Sequence, residues 1–112
     1  MPNRKYISST KGKELFFSGI YQITVENTNY IYIGSCKKFS KRFKEHFVDL
    51  QANKHGNSKM QNIFNKYSID NFRIEILELH FEYDKHYLLE REQYWIDFFK
   101  ESKDYELINL SL

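Results

Sequence analysis

The alternation of apolar and polar residues predicts a β-hairpin early in the chain. Apolar and aromatic residues dominate Phe16 to Val25 and Tyr30 to Ser35, and the intervening Glu26 to Asn29 consists of residues typical of turns. Side chains alternate between the two faces of a strand. Tyr21 and Tyr32 are therefore predicted to share one face of the hairpin, provided that the register of the strands brings them together.

Apolar residues at helical spacing predict two helices after the hairpin. The first begins near Ser40, a suitable N-cap, and runs to about Ala52, and the second begins at Ser58 after a polar loop. The apolar stripes consist of Phe43, Phe47 and Leu50 in the first helix and of Met60, Ile63, Phe64 and Tyr67 in the second. Arg42 and His46, four residues apart, occupy a flanking face of the first helix.

A third strand and a last helix are predicted in the second half of the chain. Alternation over 69–81 places Phe72, Ile74 and Ile76 on one face and Leu77 and Leu79 on the other. The last helix runs from about Asp84 to Phe99, and its apolar stripe consists of Leu88, Leu89, Trp95, Ile96 and Phe99. Residues 105–112 are apolar enough to return to the sheet.

The predicted order β-β-α-α-β-α indicates an α/β fold with a small, mainly antiparallel three-stranded sheet flanked by helices. Residues 1–16 are polar and weakly patterned, and we interpret them as an N-terminal extension, so that the folded domain covers 17–112. A length of 112 residues with 41% hydrophobic and 18% aromatic residues is typical of one globular domain and argues against disorder.

Composition also limits the location of the protein and the kinds of metal site it holds. No apolar run approaches the roughly 20 residues that a membrane helix needs. We therefore expect no membrane partner and a cytoplasmic location, or a DNA-associated one in a nucleoid or nucleus. The single Cys36 excludes an internal disulfide and cannot form a cysteine-based metal site by itself, so it is expected to be a small buried packing residue.

Charge is distributed unevenly along the chain. Residues 1–66 carry a net charge of +8, whereas residues 67–112 carry −6. The positive side chains concentrate at Lys37, Lys38, Lys41, Arg42 and Lys44. Such a cluster either neutralises the phosphates of a nucleic acid or forms a solvated helix face, and charge alone does not decide between the two.

Glu92 is unusual because it falls within the apolar stripe of the last helix. A carboxylate that points towards a core is costly unless a cation or hydrogen-bond donors receive it. The pattern leaves two interpretations open. Glu92 is either the ligand of a metal ion or one half of a buried ion pair, for instance with Arg91 or Arg73.

Two triplets, Gly19-Ile20-Tyr21 and Tyr32-Ile33-Gly34, lie on the neighbouring strands of the predicted hairpin. Together with Lys41–Phe47 and Glu90–Ile96 they resemble the GIY-YIG nucleases, and most closely the nuclease domain of phage-type GIY-YIG homing endonucleases. The resemblance implies a catalytic site of Tyr21, Tyr32, Arg42, His46, Glu92 and Asn109, and His55 matches a further histidine of the homing subgroup.

The activity implied by this resemblance is that of a metal-dependent DNA endonuclease, which hydrolyses phosphodiester bonds. Glu92 would bind one Mg²⁺ or Mn²⁺, because such an ion needs only one or two carboxylates. Arg42 would contact the non-bridging phosphate oxygens. Tyr21, helped by Tyr32, would act as general base, although a phenol with a pKa of about 10 needs nearby positive charge to ionise at neutral pH.

Two of the implied roles stay open at this stage. His46 would orient Tyr21, deprotonate it or contact the phosphate. Asn109 would position either a tyrosine or the backbone by hydrogen bonding. The basic side chains Lys37, Lys38, Lys41 and Lys44 are the candidate contacts to DNA.

Two other classes of function compete with the endonuclease. The first is a non-catalytic nucleic-acid-binding module that keeps the same fold, and the second is a structural or protein-interaction domain. Within the endonuclease hypothesis, one site cuts one strand, so a double-strand break would need a homodimer, a separate recognition partner or sequential nicking. The DNA sequence that would be cut is left open.

Overall fold

A computed structural model describes residues 12–109, so that most of the predicted N-terminal extension and the last three residues of the chain lie outside the described residues. The elements in chain order are β1 (Ser18–Val25), β2 (Tyr30–Cys36), α1 (Phe39–Gln51), α2 (Ser58–Lys66), β3 (Phe72–His80), α3 (Lys85–Lys100) and β4 (Glu106–Leu107), with short 3₁₀ helices at Gly12–Phe16 and Ile69–Asn71. The predicted mixed α/β fold, with a small sheet flanked by helices, is confirmed.

The sheet has the strand order β3-β1-β2-β4. β1 is antiparallel to both β2 and β3, whereas β4 runs parallel to β2 and pairs with it at Tyr30 and Ile31 only. The sheet therefore has four strands where three were predicted. A two-residue strand has no alternation that a sequence pattern would reveal. The predicted return of the C-terminal segment to the sheet is confirmed for Glu106–Leu107.

A β-bulge in β3 changes which side chains share a face. Ile20 is opposite Glu78, but Tyr21 is opposite Ile76, so Leu77 is an extra residue without a partner in β1. Leu79 consequently packs with the core cluster that Ile76 joins, while Leu77 packs with the cluster on the other side. The prediction that Leu77 and Leu79 share a face is wrong because the bulge reverses the alternation between them.

The two faces of the sheet carry separate core clusters. The face under α1 and α2 contains Tyr21, Ile23, Val25, Phe39, Phe43, Leu50, Met60, Ile63, Phe72 and Ile74, together with Cys36 and Ile108. The face under α3 contains Ile20, Ile31, Ile33, Leu88 and Phe99. The predicted burial of Cys36 is confirmed, and burial raises the pKa of its thiol to about 12.

The N-caps of the first two helices lie two residues and one residue before the predicted ones. Lys38, not Ser40, is the N-cap of α1, and it makes no side-chain capping bond. Phe39 is fully buried and its N–H donates to the Phe17 carbonyl, which fixes the start of the helix. α2 is capped by Asn57 rather than Ser58 (Asn57 Oδ1 accepts the Met60 N–H at 2.9 Å).

α3 begins as predicted, because Asp84 is its N-cap and accepts the Tyr87 N–H. Its apolar stripe is narrower than predicted. Leu88 and Phe99 are buried, but Leu89 is 48% exposed. Of the helices within residues 12–109, none is long and apolar enough to cross a membrane.

Candidate active site

Tyr21 and Tyr32 lie on the same face of the sheet, as predicted, with their ring centroids 6.4 Å apart. Tyr21 is opposite Gly34 in the neighbouring strand. A Cβ atom at Gly34 would overlap the ring and the hydroxyl of Tyr21. The glycine of the second triplet therefore provides the space in which the tyrosine of the first triplet lies.

Gly19 allows a close approach between β1, β3 and the start of α1. A Cβ atom at this position would overlap the Glu78 carbonyl oxygen and would lie 2.7 Å from Cζ of Phe39. Because Phe39 is the first residue of α1, this contact helps to set where the helix meets the sheet. Close packing therefore explains why both triplets have a glycine at these positions.

His46 lies in the protein core and not on the flanking face where it was predicted. Phe39, Phe43, His46 and Leu50 form the buried side of α1, whereas Phe47 is only half-buried. The His46 side chain is among the most buried in the described range, with 1% exposure. Its Nε2 atom is 2.5 Å from the Tyr21 hydroxyl, which connects α1 directly to the first triplet.

His55, from the loop between α1 and α2, extends this contact into a chain of hydrogen bonds. Its Nε2 atom lies 2.7 Å from Nδ1 of His46, and the two rings are stacked with centroids 4.9 Å apart. Its Nδ1 atom accepts the backbone N–H of Asn57 at 2.9 Å. The backbone N–H of His55 donates to Gln61, so His55 is fixed at both ends.

The proton positions in this chain of hydrogen bonds can be deduced from the backbone N–H of Asn57, which can act only as a donor. A neutral His55 that accepts at Nδ1 carries its proton on Nε2 and donates to His46 Nδ1. His46 then carries its own proton on Nε2 and donates it to the Tyr21 hydroxyl oxygen. Burial lowers the pKa of His46 to about 3 and also lowers that of His55, so both rings are neutral near pH 7.

Arg42 is the positive charge nearest to the two tyrosines. Burial raises the pKa of the Tyr21 hydroxyl well above its usual value and also raises that of Tyr32. Arg42 opposes both shifts through its positive charge, which favours the phenolate forms. Its guanidinium also contacts Glu45 at 3.2 Å and is about one third exposed, so it remains accessible from solvent.

An open cleft brings several of the predicted residues together. It is lined by Tyr32, Arg42, Asp49, His55, Gly56, Asn57 and Asn109. Asn109 binds the backbone of β2, since its Oδ1 accepts the Ile33 N–H at 2.9 Å and its Nδ2 donates to the Ile33 carbonyl at 2.7 Å. Of the two partners left open by the sequence, the backbone is the one observed.

Glu92 has no cationic partner among the described residues. Its Oε1 accepts a hydrogen bond from Ser35 at 3.0 Å, and its partial burial raises its pKa, which the Ser35 bond opposes. Arg91 binds Glu78 instead, and Arg73 binds Glu26. Neither partner suggested by the sequence therefore pairs with Glu92, and the ion-pair interpretation finds no support within residues 12–109.

The donor set near Glu92 fits a hard divalent cation that keeps most of its water. Within residues 12–109 no group of three or more His, Cys, Asp or Glu side chains could hold a metal ion. A bound ion would therefore depend on the Glu92 carboxylate, with the Ser35 hydroxyl beside it. Mg²⁺ is commonly held by one or two carboxylates and several waters, so one half-buried carboxylate without a cation is sufficient.

Three of the four lysines predicted to contact DNA line a second cleft, which also includes Arg42. These residues are Lys37, Lys38 and Lys41. Lys41 forms an ion pair with Glu45 at 3.1 Å on the surface of α1. Lys44 is exposed on the same helix. Arg42 thus lies between a cleft that contains Tyr32 and a cleft lined by lysines.

Sequence reasoning missed three residues that hold the site together. Ser35 binds Glu92, Asn57 donates its N–H to His55, and Gln61 accepts the His55 N–H while donating to the Leu50 carbonyl at 3.0 Å. Asn57 could have been found, because Asn before a predicted helix is a preferred N-cap. The other two give no pattern in the sequence, since their roles depend on contacts across the fold.

Comparison with known proteins places the chain in context. A family model described as the GIY-YIG catalytic domain matches residues 17–106. Over 79 residues, or 70% of this chain, the sequence is 46% identical to intron-associated endonuclease 1 of Enterobacteria phage T4. The matched region spans 31% of that protein's length.

Two solved structures share the fold. The catalytic domain of the homing endonuclease I-TevI matches with a TM-score of 0.70 and 40% identity, covering 81% of this chain and 97% of that domain. A single-substitution mutant of the I-TevI catalytic domain matches with a TM-score of 0.71 and 38% identity, covering 85% and 96% respectively.

Proposed function

The chain belongs to the GIY-YIG family, and from that premise we propose that it is a metal-dependent DNA endonuclease with a tyrosine general base and one metal ion. The observation that carries this proposal is the Tyr21 hydroxyl, which receives the His46 N–H beside the Arg42 guanidinium. A buried tyrosine needs a hydrogen-bond partner for its hydroxyl, but it does not need a cation there as well. Both are suited to a phenol that must lose its proton.

Tyr21 is proposed to take the proton from the attacking water. Burial raises its pKa, so the phenolate has to be stabilised locally. Arg42 supplies positive charge, and His46 supplies a neutral donor that is already aimed at the oxygen. Because His46 donates to Tyr21, we assign it the orienting role and not that of a base. Tyr32, 6.4 Å away between ring centroids, is close enough to assist.

Arg42 is proposed to bind the scissile phosphate. Its planar group presents a fixed fork of donors to the non-bridging oxygens, and a phosphodiester gains negative charge there as hydrolysis proceeds. The side chain is held at one side by Glu45 and opens into the cleft that contains Tyr32. The phosphate would therefore lie beside Arg42 and Tyr32, whereas the Tyr21 side chain is fully buried and does not line this cleft.

Glu92 is proposed to hold the divalent cation, Mg²⁺ or Mn²⁺. When bound, the ion supplies Lewis acidity that stabilises the charge on the leaving oxygen. Glu92 is suited to this task because it is half-buried and has no cationic partner among the residues of the described range. We further propose that the folded nuclease domain corresponds to 17–112 and that residues 1–16 form an extension to it.

A plasmid assay tests the proposal. Supercoiled DNA is incubated with the wild type and with Tyr21→Phe, with Mg²⁺ or with a chelator. We expect cutting only with Mg²⁺, and a fall of at least about 100-fold in Tyr21→Phe, the usual scale for loss of a general base. Tyr67→Phe, which alters another partly buried tyrosine, serves as the matched control and should cut normally.

The products also address how the two strands are cut. Accumulation of nicked circles indicates one independent site, whereas direct formation of linear DNA indicates a homodimer or another partner. Undiminished cutting by Tyr21→Phe would refute the tyrosine base, and cutting in the chelator would refute the metal. DNA binding without any cutting by the wild type would favour the non-catalytic binding module.

A further inference from the structure

Three separate segments place exposed aromatic rings and lysines together beside Arg42. Phe16 ends the first 3₁₀ helix, Phe81 and Tyr83 lie between β3 and α3, and Lys37 and Lys38 lie between β2 and α1. We call these five residues the aromatic-lysine surface. The rings are 65%, 71% and 46% exposed in the order given, which is unusual for side chains of this size.

The surface is held together by contacts between these segments. The Phe81 ring packs edge-on against Phe17, with centroids 5.2 Å apart. Lys38 Nζ lies 5.5 Å from the Phe16 centroid, and Lys37 Nζ lies 5.1 Å from the Tyr83 centroid. Each lysine therefore covers an exposed ring without forming an ion pair to any described residue.

The adjoining cleft connects this surface to the proposed catalytic centre. It is lined by Phe16, Cys36, Lys37, Lys38, Lys41, Arg42 and Glu45. Glu45 is neutralised by Lys41 and Arg42, so Lys37 and Lys38 leave the cleft with an excess of positive charge. A ligand that fits must carry negative charge at close intervals and must offer flat apolar groups to the rings.

We propose that the aromatic-lysine surface binds unpaired nucleotides of the DNA strand next to the scissile phosphate. This inference rests on the proposed function, since Arg42 is taken as the contact to that phosphate. Stacked bases and a phosphate chain are the pair of features that single-strand binding sites recognise with aromatic rings and cations. The lysines would move from the ring faces to the phosphates, and the bases would stack on the rings that they uncover.

Unpaired nucleotides fit the surface better than a duplex does. Bases in a duplex are stacked on one another, so their faces are closed to protein rings, whereas unpaired bases expose both faces. Phe16 lines the cleft, and Phe81 and Tyr83 come from a second short segment, so the three rings would offer a platform for a single strand. The enzyme would accordingly favour sites where the strand is already open or where it can open the strand itself.

The test is a binding measurement on the full chain in the presence of a chelator, so that no cutting occurs. Fluorescence anisotropy compares oligothymidylate of roughly twelve nucleotides, within the usual site sizes, with an abasic phosphodiester of the same length and charge. We expect the oligothymidylate to bind more tightly by about tenfold for each stacked base. Equal affinities would overturn the proposal.

Substitutions test whether the preference for oligothymidylate arises at the aromatic-lysine surface. Phe16→Leu and Tyr83→Leu, tested separately, should each reduce the preference for oligothymidylate about tenfold and leave abasic binding unchanged. Tyr94→Leu is the matched control, because Tyr94 is 49% exposed on α3 and is also covered by a cation, Arg91, at 4.4 Å. An equal loss in Tyr94→Leu would overturn the location.

Charge variants and competing ligands distinguish the proposed ligand from two other occupants, an acidic protein and a second copy of this chain. Lys38→Gln should weaken both ligands and reduce the slope of affinity against salt by about one. If polyglutamate of equal charge competes as well as oligothymidylate, the surface selects an acidic protein and the proposal is wrong. If wild type dimerises and Phe16→Leu does not, with no preference for bases, the surface joins two copies and the proposal is again wrong.

The two proposals fail separately. Normal plasmid cutting without a preference for bases would refute this inference and leave the nuclease intact. A preference for bases that is lost in Phe16→Leu, in a chain that cuts no plasmid, would support the surface and refute the catalytic proposal.

Discussion

Glu78 and Glu92 are two partly buried carboxylates beside α3, and the protein surrounds them differently. Glu78 receives Arg91 Nη2 at 2.6 Å, Arg91 Nε at 2.9 Å and Trp95 Nε1 at 2.8 Å, and His80 Nε2 lies 2.9 Å away. These donors, Arg91 foremost, lower its pKa to about 2. Within the described part of the chain Glu92 receives only the Ser35 hydroxyl, and burial raises its pKa.

This difference is the basis on which we propose a structural role for Glu78 and a functional role for Glu92. A buried carboxylate surrounded by donors has no need of another cation, so Glu78 helps to attach α3 to β3. A half-buried carboxylate without a cation is destabilising until something positive binds it. The protein tolerates that cost at Glu92, which is the behaviour expected of a ligand site.

The strongest test of the difference between Glu78 and Glu92 is to neutralise each carboxylate in turn. Loss of a residue beside a metal ligand typically costs 10- to 100-fold in activity or metal affinity. Loss of the ligand itself in Glu92→Gln should therefore lower the cutting rate by more than about 100-fold. Its free energy of unfolding without metal should stay equal or rise, because an unpaired charge has been removed.

Glu78→Gln should show the opposite result. It leaves Arg91 without a carboxylate, so the free energy of unfolding should fall by about 1 to 3 kcal/mol while cutting persists. Glu90→Gln, on the exposed side of α3, is the control and should change neither quantity. Normal cutting by Glu92→Gln, or loss of cutting by Glu78→Gln alone in a folded protein, would refute the assignment of the two carboxylates.

The two arginines extend the comparison. Arg42→Lys keeps the charge but loses the fork of donors, and we expect turnover to fall by about 100-fold, the scale of one lost transition-state donor. Arg91→Lys makes the same change at the arginine that binds Glu78. It should leave turnover unaltered and lower the midpoint of thermal unfolding. The measurement is the turnover rate of both variants at saturating Mg²⁺. Equal losses in both variants would contradict a special role for Arg42.

The pH dependence of the free energy of unfolding distinguishes the two hydrogen-bonded histidines, His46 and His55, from Glu78. The pKa of His46 is about 3 in the folded protein against an ordinary value of 6.5, so the unfolded chain binds more protons between these values. The free energy of unfolding should thus decrease as pH falls from 6.5, by up to about 1.4 kcal/mol per pH unit.

The Glu78 contribution disappears at lower pH, from 4.5 towards about 2, because its folded pKa is depressed. Urea unfolding between pH 6.5 and 4.5 therefore reports the histidines without Glu78, and it is done in a Glu92→Gln background, because the raised pKa of Glu92 would contribute with the opposite sign in this window. His46→Gln should flatten the slope in this window, and Glu78→Gln should flatten it only below 4.5. A stability of this background that is constant from pH 6.5 to 4.5 would contradict a neutral, buried His46.

The smallest effect is expected at Ser35. Ser35→Ala removes the single hydrogen bond to Glu92. A typical hydrogen bond contributes about 0.5 to 1.5 kcal/mol. The Mg²⁺ concentration for half-maximal cutting should therefore rise by up to about tenfold, with the maximal rate nearly unchanged. A change in maximal rate alone would place Ser35 in a different role.

The sequence predicted the elements better than it predicted their ends. The hairpin, the shared face of Tyr21 and Tyr32 and the start of α3 at Asp84 are confirmed, because alternation and capping are local properties. The start of α1 is set by the burial of Phe39, which no local pattern around Ser40 could show. The bulge at Leu77 is likewise a feature of pairing between strands.

The sequence named the residues that we propose for the site, but it did not reveal their partners. His46 was predicted on a flanking face because a polar residue in a helical pattern usually faces solvent. The structure buries it, since Tyr21 and His55 satisfy both ring nitrogens. Glu92 could be identified from its place in an apolar stripe, but its lack of a cationic partner within residues 12–109 depends on Arg91 binding Glu78 instead, which no local pattern shows.

The bond between Asn109 and Ile33 also has a consequence for folding. It joins residues 76 positions apart, and β4 pairs with β2 over a similar separation. Contacts between such distant residues form late, because a long loop must close first. A growing polypeptide whose first 105 residues have emerged from the ribosome would already contain Tyr21, Arg42 and Glu92 but not this closing bond. The cleft would be completed only when residue 109 follows, so a partly synthesised chain would be a poor nuclease.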